Sequence, residues 1–213
     1  MLSTDCPLCQ SSYHKLYTKG ENREYLYCKT CDLVYVPKDM LPTLKQEKTK
    51  YDQHQNSPED KGYRSFLNKL FQPMKTLLMQ DAKGLDFGSG PGPTLSKMFE
   101  EAGFEIDIYD IFYAKNEKVF QKKYDFITST EVIEHIHDVN FEILRLWDML
   151  KSGGFLGIMT AFRPSKEEFD KWYYKRDLTH VRFFTPKTFE YLSVMTGGKI
   201  VYIADGVVIL KKS

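Results

Sequence analysis

The chain is short of tryptophan, with 2 residues in 213, and it has no long apolar run. Its longest nearly uninterrupted apolar stretch, Phe155 to Phe162, falls far below the roughly 18 residues that a membrane helix needs. It also lacks an excess of charge of either sign: 30 Lys/Arg stand against 29 Asp/Glu, for a net charge of +1. That balance excludes the strongly basic footprint of a generic nucleic-acid binder, although a small local patch remains compatible with it. No basic segment followed by an apolar core opens the chain, so the expectation is a cytoplasmic protein with no membrane partner. What is present is a core-forming composition, 42% hydrophobic and 15% aromatic, which excludes a disordered or collagen-like chain. The length suits one well-cored domain plus a small appendage.

Cysteine is scarce too, but its 4 residues are arranged. They form two CxxC pairs, Cys6/Cys9 and Cys28/Cys31, separated by 18 residues. This spacing fits a zinc site in which each CxxC turn presents two thiolates and two facing turns close a tetrahedron. Two disulfides in a secreted module, or a redox CxxC, are the competing readings. The absent leader, the paired usage and the absence of a βαβ unit around either pair favour a closed structural zinc site on Cys6, Cys9, Cys28 and Cys31. Tyr25–Tyr27 and Leu33–Val36 read as a β-hairpin carrying the second pair. Residues 1–38 are therefore expected to be a zinc ribbon, too small to bury its own core and dependent on the metal for folding free energy. Through residue 50 there are 8 Lys/Arg and 6 Asp/Glu, and four thiolates on Zn²⁺ bring the metallated segment near neutrality. That argues against strong phosphate-driven binding, and Tyr13, Tyr17, Tyr25 and Tyr27 read as a substitute core rather than a base-stacking platform.

Residues 39–80 read as a linker and helical lid. Met40–Asn56 is polar and punctuated, and includes His54. Ser57 reads as an N-cap with Pro58 at the first helical position, and Tyr63, Phe66, Leu67, Leu70, Phe71 and Met74 form one apolar stripe. Pro73 is expected to break or kink this helix. From residue 81 to 213 strands and helices alternate: strand 84–88, helix 93–102, strand 104–109, strand 124–129, helix 138–150 and strand 154–160. A capping box at Ser165–Glu168 then opens a helix with Phe169, Trp172 and Tyr173 aligned, and Thr185–Pro186 opens the last helix. The chain ends in a hairpin over 199–211 with a type I′ turn signal at Asp205–Gly206. The fold class is α/β, a Rossmann-like doubly wound parallel sheet finished by an antiparallel hairpin. Only 13 residues separate Asp110 from Tyr124, too few for a helix–strand–helix, so the sheet edge is expected to lack one strand.

Between the first core strand and its helix lies Asp86-Phe-Gly88-Ser89-Gly90-Pro-Gly92, a turn whose glycines let main chain approach a ligand. Asp110, 22 residues after Gly88, ends the next strand, where a carboxylate can accept the two hydroxyls of a ribose. NAD(P) uses similar geometry. Asp86, however, would repel a pyrophosphate, and Pro91 and Pro93 remove amide donors that a pyrophosphate uses. A cationic nucleoside fits better.

The segments Leu85–Gly92, Tyr124-Asp-Phe-Ile-Thr-Ser-Thr-Glu-Val-Ile-Glu-His135 and Leu150-Lys-Ser-Gly-Gly-Phe155, with the terminal hairpin, in that order resemble class I S-adenosylmethionine (SAM)-dependent methyltransferases over residues 83–213. Asp177-Leu-Thr-His-Val-Arg-Phe-Phe-Thr-Pro186 is similar to a subgroup related to ubiquinone- and sugar-type methylases. The resemblance implies SAM as cofactor, with Gly88, Ser89, Gly90 and Gly92 on the methionine part and Asp110 on the ribose. It places Thr130 and Glu131 along the cofactor, and His54 closing over it from the lid. Asp86 faces the cationic end, Phe112 is a candidate to stack on the adenine, and Ile111 counts among the cofactor-binding residues.

His180 and His135 are the candidate bases, with Asp177 as a partner for His180. Each has a plainer reading as a hydrogen-bonded structural histidine. His137 reads as a surface residue. Glu131, Glu134 and His135 together could bind a divalent ion, although a cofactor-side hydrogen bond and helix-start electrostatics account for them more simply. Trp172, Tyr173 and Tyr174 read as core, one of them lining the acceptor pocket. The functional expectation is methyl transfer to an O, N or C nucleophile of a small molecule. An RNA methyltransferase gripping RNA through the zinc ribbon, and a non-catalytic binding protein, are the alternatives.

Overall fold

Gly103, Gly197 and Asp205–Gly206 take positive φ where the pattern asks for helix stops and a tight hairpin, and these breaks punctuate the fold. A computed structural model describes residues 5–53 and 57–213, so His54 lies outside the described residues. The elements run β1 (His14–Lys19), β2 (Glu24–Cys28), β3 (Val34–Tyr35), α1 (Leu44–Tyr51), α2 (Lys61–Leu77), β4 (Lys83–Phe87), α3 (Thr94–Glu101), β5 (Glu105–Tyr109) and β6 (Tyr124–Thr130). They continue as α4 (Val139–Met149), β7 (Leu150–Met159), α5 (Lys166–Phe169), β8 (Arg182–Phe183), α6 (Pro186–Thr196), β9 (Lys199–Ala204) and β10 (Val207–Lys211). Among the described residues no helix is long and apolar enough to cross a membrane.

The larger sheet has the order β5-β4-β6-β7-β10-β9. Its first four strands are parallel, and β10 and β9 close it antiparallel, as the α/β reading expects. Only a 3₁₀ turn at Glu117–Gln121 joins β5 to β6, which leaves β5 as the edge strand. Strand alternation decides which helices each face buries. Phe126, Val207 and Ile209 meet the stripes of α2 and α3 through Leu67, Leu70, Met74, Leu95 and Phe99. Ile127, Val208 and Leu210 meet α4 and α6 through Ile143, Leu146, Phe189 and Leu192.

Three local expectations are corrected, and a fourth, the break or kink at Pro73, is narrowed. The polar run 40–56 contains α1, started by a reciprocal capping box between Thr43 and Gln46, so it is not simply a linker. The N-cap of α2 is Asp60, whose carboxylate accepts from Gly62 N (2.7 Å) and Tyr63 N (3.1 Å), rather than Ser57. Pro73 sits inside α2 without ending it, because Leu67, Leu70, Phe71 and Met74 are all buried against the sheet and outweigh one missing hydrogen bond. The helix after Ser165 stops at Phe169, and Tyr173 is 75% exposed, so the aligned Phe169–Trp172–Tyr173 face does not form.

A second, smaller sheet has the order β1-β2-β3-β8. Its fourth strand comes from far along the chain, with Val34 opposite Phe183 and Tyr35 opposite Arg182. Tyr17, Tyr25, Val34 and Val36 are buried with Phe169, Val181 and Phe183. The N-terminal segment thus shares its core with residues beyond 160.

Candidate active site

The carboxyl ends of β4, β5 and β6 open into one cavity of about 680 Å³, the usual place for a ligand in an open α/β sheet. Leu44, Glu47 and Tyr51 of α1 and Tyr63 of α2 also line it, and Tyr173–His180 contributes another wall.

At one end lies the glycine turn. Gly88 (φ +79°) and Gly90 (φ +66°) are both left-handed. A Cβ at Gly88 would stand 2.3 Å from Val132 Cγ2, so no other residue fits there without displacing that side chain. Ser89 faces the cavity with its Oγ buried and without a hydrogen-bond partner among the described residues, an orphan donor that invites a ligand. Gly92 stands outside the lining; its carbonyl accepts from Thr94 N (2.6 Å) at the start of α3.

Asp110 is fixed by main chain: Oδ2 accepts from Gly90 N (3.0 Å), and Oδ1 accepts from Phe112 N (2.8 Å) and Tyr113 N (3.1 Å). Phe112 packs 5.7 Å from Tyr51 ring to ring, and Ile111 is half exposed at the rim.

Asp86 is buried and accepts from Thr128 Oγ1 (2.9 Å); burial pushes its carboxyl up to about 6. Its ionised form therefore costs the fold stability. The cost is absent below the ordinary carboxylate range, grows as pH rises from about 3.8 to about 6, and is complete above that. Asp86→Asn, which keeps an acceptor for Thr128, is expected to raise the melting temperature by about 3–6 °C at pH 8 and by less at pH 4.5. The ceiling is about 3 kcal/mol, less the cost of the new amide donor. Melting curves at the two pH values check this; a variant destabilised more at pH 8 than at pH 4.5 would contradict it.

At the other end, Glu131, Glu134, His135 and His180 converge. Glu131 adopts φ +52°, and burial together with the charge of Glu134 pushes its carboxyl up to about 8. Glu134 is fully buried; its Oε1 accepts from Tyr174 Oη (2.6 Å) and its Oε2 from Thr160 Oγ1 (2.9 Å). His135 Nδ1 lies 3.0 Å from the Thr179 carbonyl and His180 Nδ1 lies 2.7 Å from the Tyr174 carbonyl. A carbonyl only accepts, so both rings carry a proton on Nδ1. Burial, and then the neighbouring His135, hold His180 down to about 4, which keeps it neutral at physiological pH. The two imidazole centroids are 4.7 Å apart, and Tyr51 packs edge-on against His135.

Asp177 lines the cavity but does not hold the His180 ring. Its Oδ1 accepts from Thr179 N (2.9 Å) and Oγ1 (2.7 Å), and its Oδ2 faces Lys50 Nζ (3.4 Å). His137 is not a free surface residue: its Nε2 lies 2.7 Å from Glu47 Oε1, which pins α1 over the cavity. Sequence reasoning missed Glu47 and Val132 as lining residues, and it placed one of Trp172, Tyr173 and Tyr174 at the acceptor pocket, where both Tyr173 and Tyr174 stand. The Glu131-x-x-Glu134-His135 spacing, already read in the sequence, sets two carboxylates and an imidazole on one short turn, but no local pattern announces Glu47 or Val132.

Away from the cavity, the four cysteines come together. Cys6 Sγ and Cys31 Sγ are 3.5 Å apart, Cys9 Sγ and Cys28 Sγ are 3.4 Å apart, and all four sulfurs lie within 4.8 Å of one another. None of the four is in a disulfide. Tetrahedral zinc with bonds of about 2.3 Å calls for sulfurs about 3.8 Å apart, so this donor set fits that ion.

Comparison with known proteins adds a family. A model described as a methyltransferase domain matches residues 51–197. No curated protein matches the chain. Among solved structures, a Burkholderia thailandensis 1,6-didemethyltoxoflavin-N1-methyltransferase with 1,6-didemethyltoxoflavin and S-adenosylhomocysteine bound is 14% identical, with a TM-score of 0.57 over 88% of this chain and 98% of that one. Human N-acetylserotonin methyltransferase in complex with SAM is 14% identical, with a TM-score of 0.51 over 67% of this chain and 51% of that one. A SAM-dependent methyltransferase from Methanosarcina mazei is 14% identical, with a TM-score of 0.50 over 66% of this chain and 96% of that one. At such identities the likeness is one of fold.

Proposed function

This chain belongs to the methyltransferase-domain family and is a methyltransferase, and from that premise we propose that its methyl donor is SAM and its acceptor a small molecule with an O, N or C nucleophile. One observation carries the reading. The glycine turn, the orphan Ser89 Oγ and the fixed Asp110 carboxylate open on the same cavity as a buried histidine–carboxylate cluster. In this reading Asp110 accepts from the ribose, the main chain of Gly88–Gly90 and Ser89 Oγ meet the methionine part, and Ile111 and Phe112 flank the adenine. Asp86 and Tyr63 wall the methionine side. The bound sulfonium supplies an electrophilic methyl group, and transfer is an in-line displacement in which positioning does much of the work. His135 and His180 orient the acceptor or take its proton. The B. thailandensis and human proteins, crystallised with S-adenosylhomocysteine and with SAM, support the choice of donor. A cavity of about 680 Å³ falls in the range of small-molecule sites. The four cysteines, in the same reading, hold a structural zinc.

Titrating the pure protein with SAM, with NADH as control, tests the donor; saturable NADH binding with no SAM signal overturns it. Labelled SAM mixed with cell extract tests the acceptor, because an RNase-sensitive product points to RNA and a small-molecule fraction carries the reading. His180→Ala is expected to cut turnover on that acceptor about 100-fold or more, with SAM affinity changed less than threefold. Unchanged turnover removes His180 from the chemistry.

A further inference from the structure

Glu134, His135 and His180 each bring one atom able to bind a metal within 4.8 Å of the others. They come from two separate segments, the turn after β6 and the loop before β8. Three further features of the cluster point to an ion. Each imidazole donates its Nδ1 proton to a main-chain carbonyl, Thr179 for His135 and Tyr174 for His180, which fixes the ring and leaves Nε2 as the ligating nitrogen. That outer hydrogen bond is the habitual support of a metal-bound histidine. Glu134 has no exposed surface, and its one ion-pair contact among the described residues is His135 Nε2 at 3.9 Å. A buried carboxylate without a cation is costly, and here a second carboxylate, Glu131, faces the same cavity and shares the Tyr174 hydroxyl at 3.3 Å.

We propose that Glu134, His135 and His180 coordinate a divalent transition-metal cation on the acceptor side of the cavity, with Glu131 beside its open face. Two imidazoles and a carboxylate on one side of an ion suit Zn²⁺, Mn²⁺, Fe²⁺ or Co²⁺ and leave positions open for a ligand. For the methyl acceptor, and there the inference rests on the function proposed above, an open face selects a molecule that presents an oxygen or nitrogen lone pair to the ion. The two histidines then act on the acceptor through the cation, as orienting groups.

The test uses the full chain with its cysteine site loaded with zinc, dialysed against Mn²⁺ and separately against Zn²⁺, with bound metal counted by atomic spectroscopy. Wild type is expected to bind one equivalent more than the His135→Gln/His180→Gln double variant, with either ion. Glu134→Gln, which keeps the shape of the side chain and a partner for Tyr174, is expected to weaken Mn²⁺ binding at least tenfold. Circular dichroism and melting temperature identify any variant that fails to fold, and each single histidine variant is measured as well. Equal metal content in wild type and in the folded variants overturns the proposal. SAM titration of the same samples separates the two readings, since a cation can bind where SAM does not, and the reverse.

Discussion

Replacing Cys28 or Cys31 by serine, or stripping zinc with a strong chelator, should lower the melting temperature by more than about 10 °C and loosen the cavity as well as the N-terminal sheet. Structural zinc sites contribute on the order of 10 kcal/mol to the fold of small metal modules, and each kcal/mol is worth about 2–4 °C in a chain of this size. The loss would spread because the cysteine turns are bonded into the rest of the molecule. Asn140, on α4, donates through N to the Pro7 carbonyl (3.1 Å) and through Nδ2 to the Leu8 carbonyl (2.6 Å). Asp32, between Cys31 and β3, pairs with Arg163 (3.1 Å) and accepts from Thr185, the N-cap of α6. Arg182 ties the small sheet to the cavity wall. Its guanidinium is buried and donates to the carbonyls of Val36 (3.0 Å) and His137 (2.6 Å), while its main-chain N donates to the Glu134 carbonyl (3.0 Å). No carboxylate forms an ion pair with it among the described residues; burial lowers its pKa, and negative charge at Cys6 first, and at Asp138, opposes that shift. Scanning fluorimetry with zinc quantified in parallel checks this. Wild type purified without zinc, or a zinc-free variant melting within 2 °C of wild type, would show that the four cysteines are packing residues only.

Where a feature depends on one short segment, the sequence displays it. The glycine turn, Asp110 at the next strand end, the missing edge strand and the terminal hairpin all follow from spacing along a few tens of residues. The CxxC pairs are legible for the same reason. What stayed hidden depends on partners distant in the chain. β8 is two residues long, and nothing in Arg182–Phe183 announces that its neighbour is Val34–Tyr35. α1 reads as polar linker because the only side chain it fully buries is Glu47, and that burial is compensated by His137, 90 residues away. Which of Trp172, Tyr173 and Tyr174 reaches the pocket chemistry is decided by Glu134, 40 residues away, which accepts from the Tyr174 hydroxyl. Pro73 does not break α2 because local propensity is set against a stripe whose packing partner, the sheet, lies far along the chain.

Asp110→Ala is expected to weaken SAM binding by between tenfold and a hundredfold, and the hydrogen-bond inventory of the carboxylate explains that size. A carboxylate offers about four lone-pair sites. Main chain takes three of them, two on Oδ1 from Phe112 and Tyr113 and one on Oδ2 from Gly90. One strong site is left on Oδ2, enough for a single charge-assisted bond to one ribose hydroxyl rather than a pair of equal bonds to both. Such a bond is worth about 1.5–3 kcal/mol, which is the stated range in affinity. The three main-chain donors lose their acceptor as well, so the alanine variant should also melt several degrees lower. Asp110→Asn separates the two effects. It keeps one acceptor oxygen for the loop, so it should recover most of the stability while still binding SAM at least about fivefold more weakly than wild type. Calorimetric titration beside thermal melts of both variants reads this directly. If the alanine variant binds SAM within threefold of wild type, the nucleoside does not lie against this carboxylate.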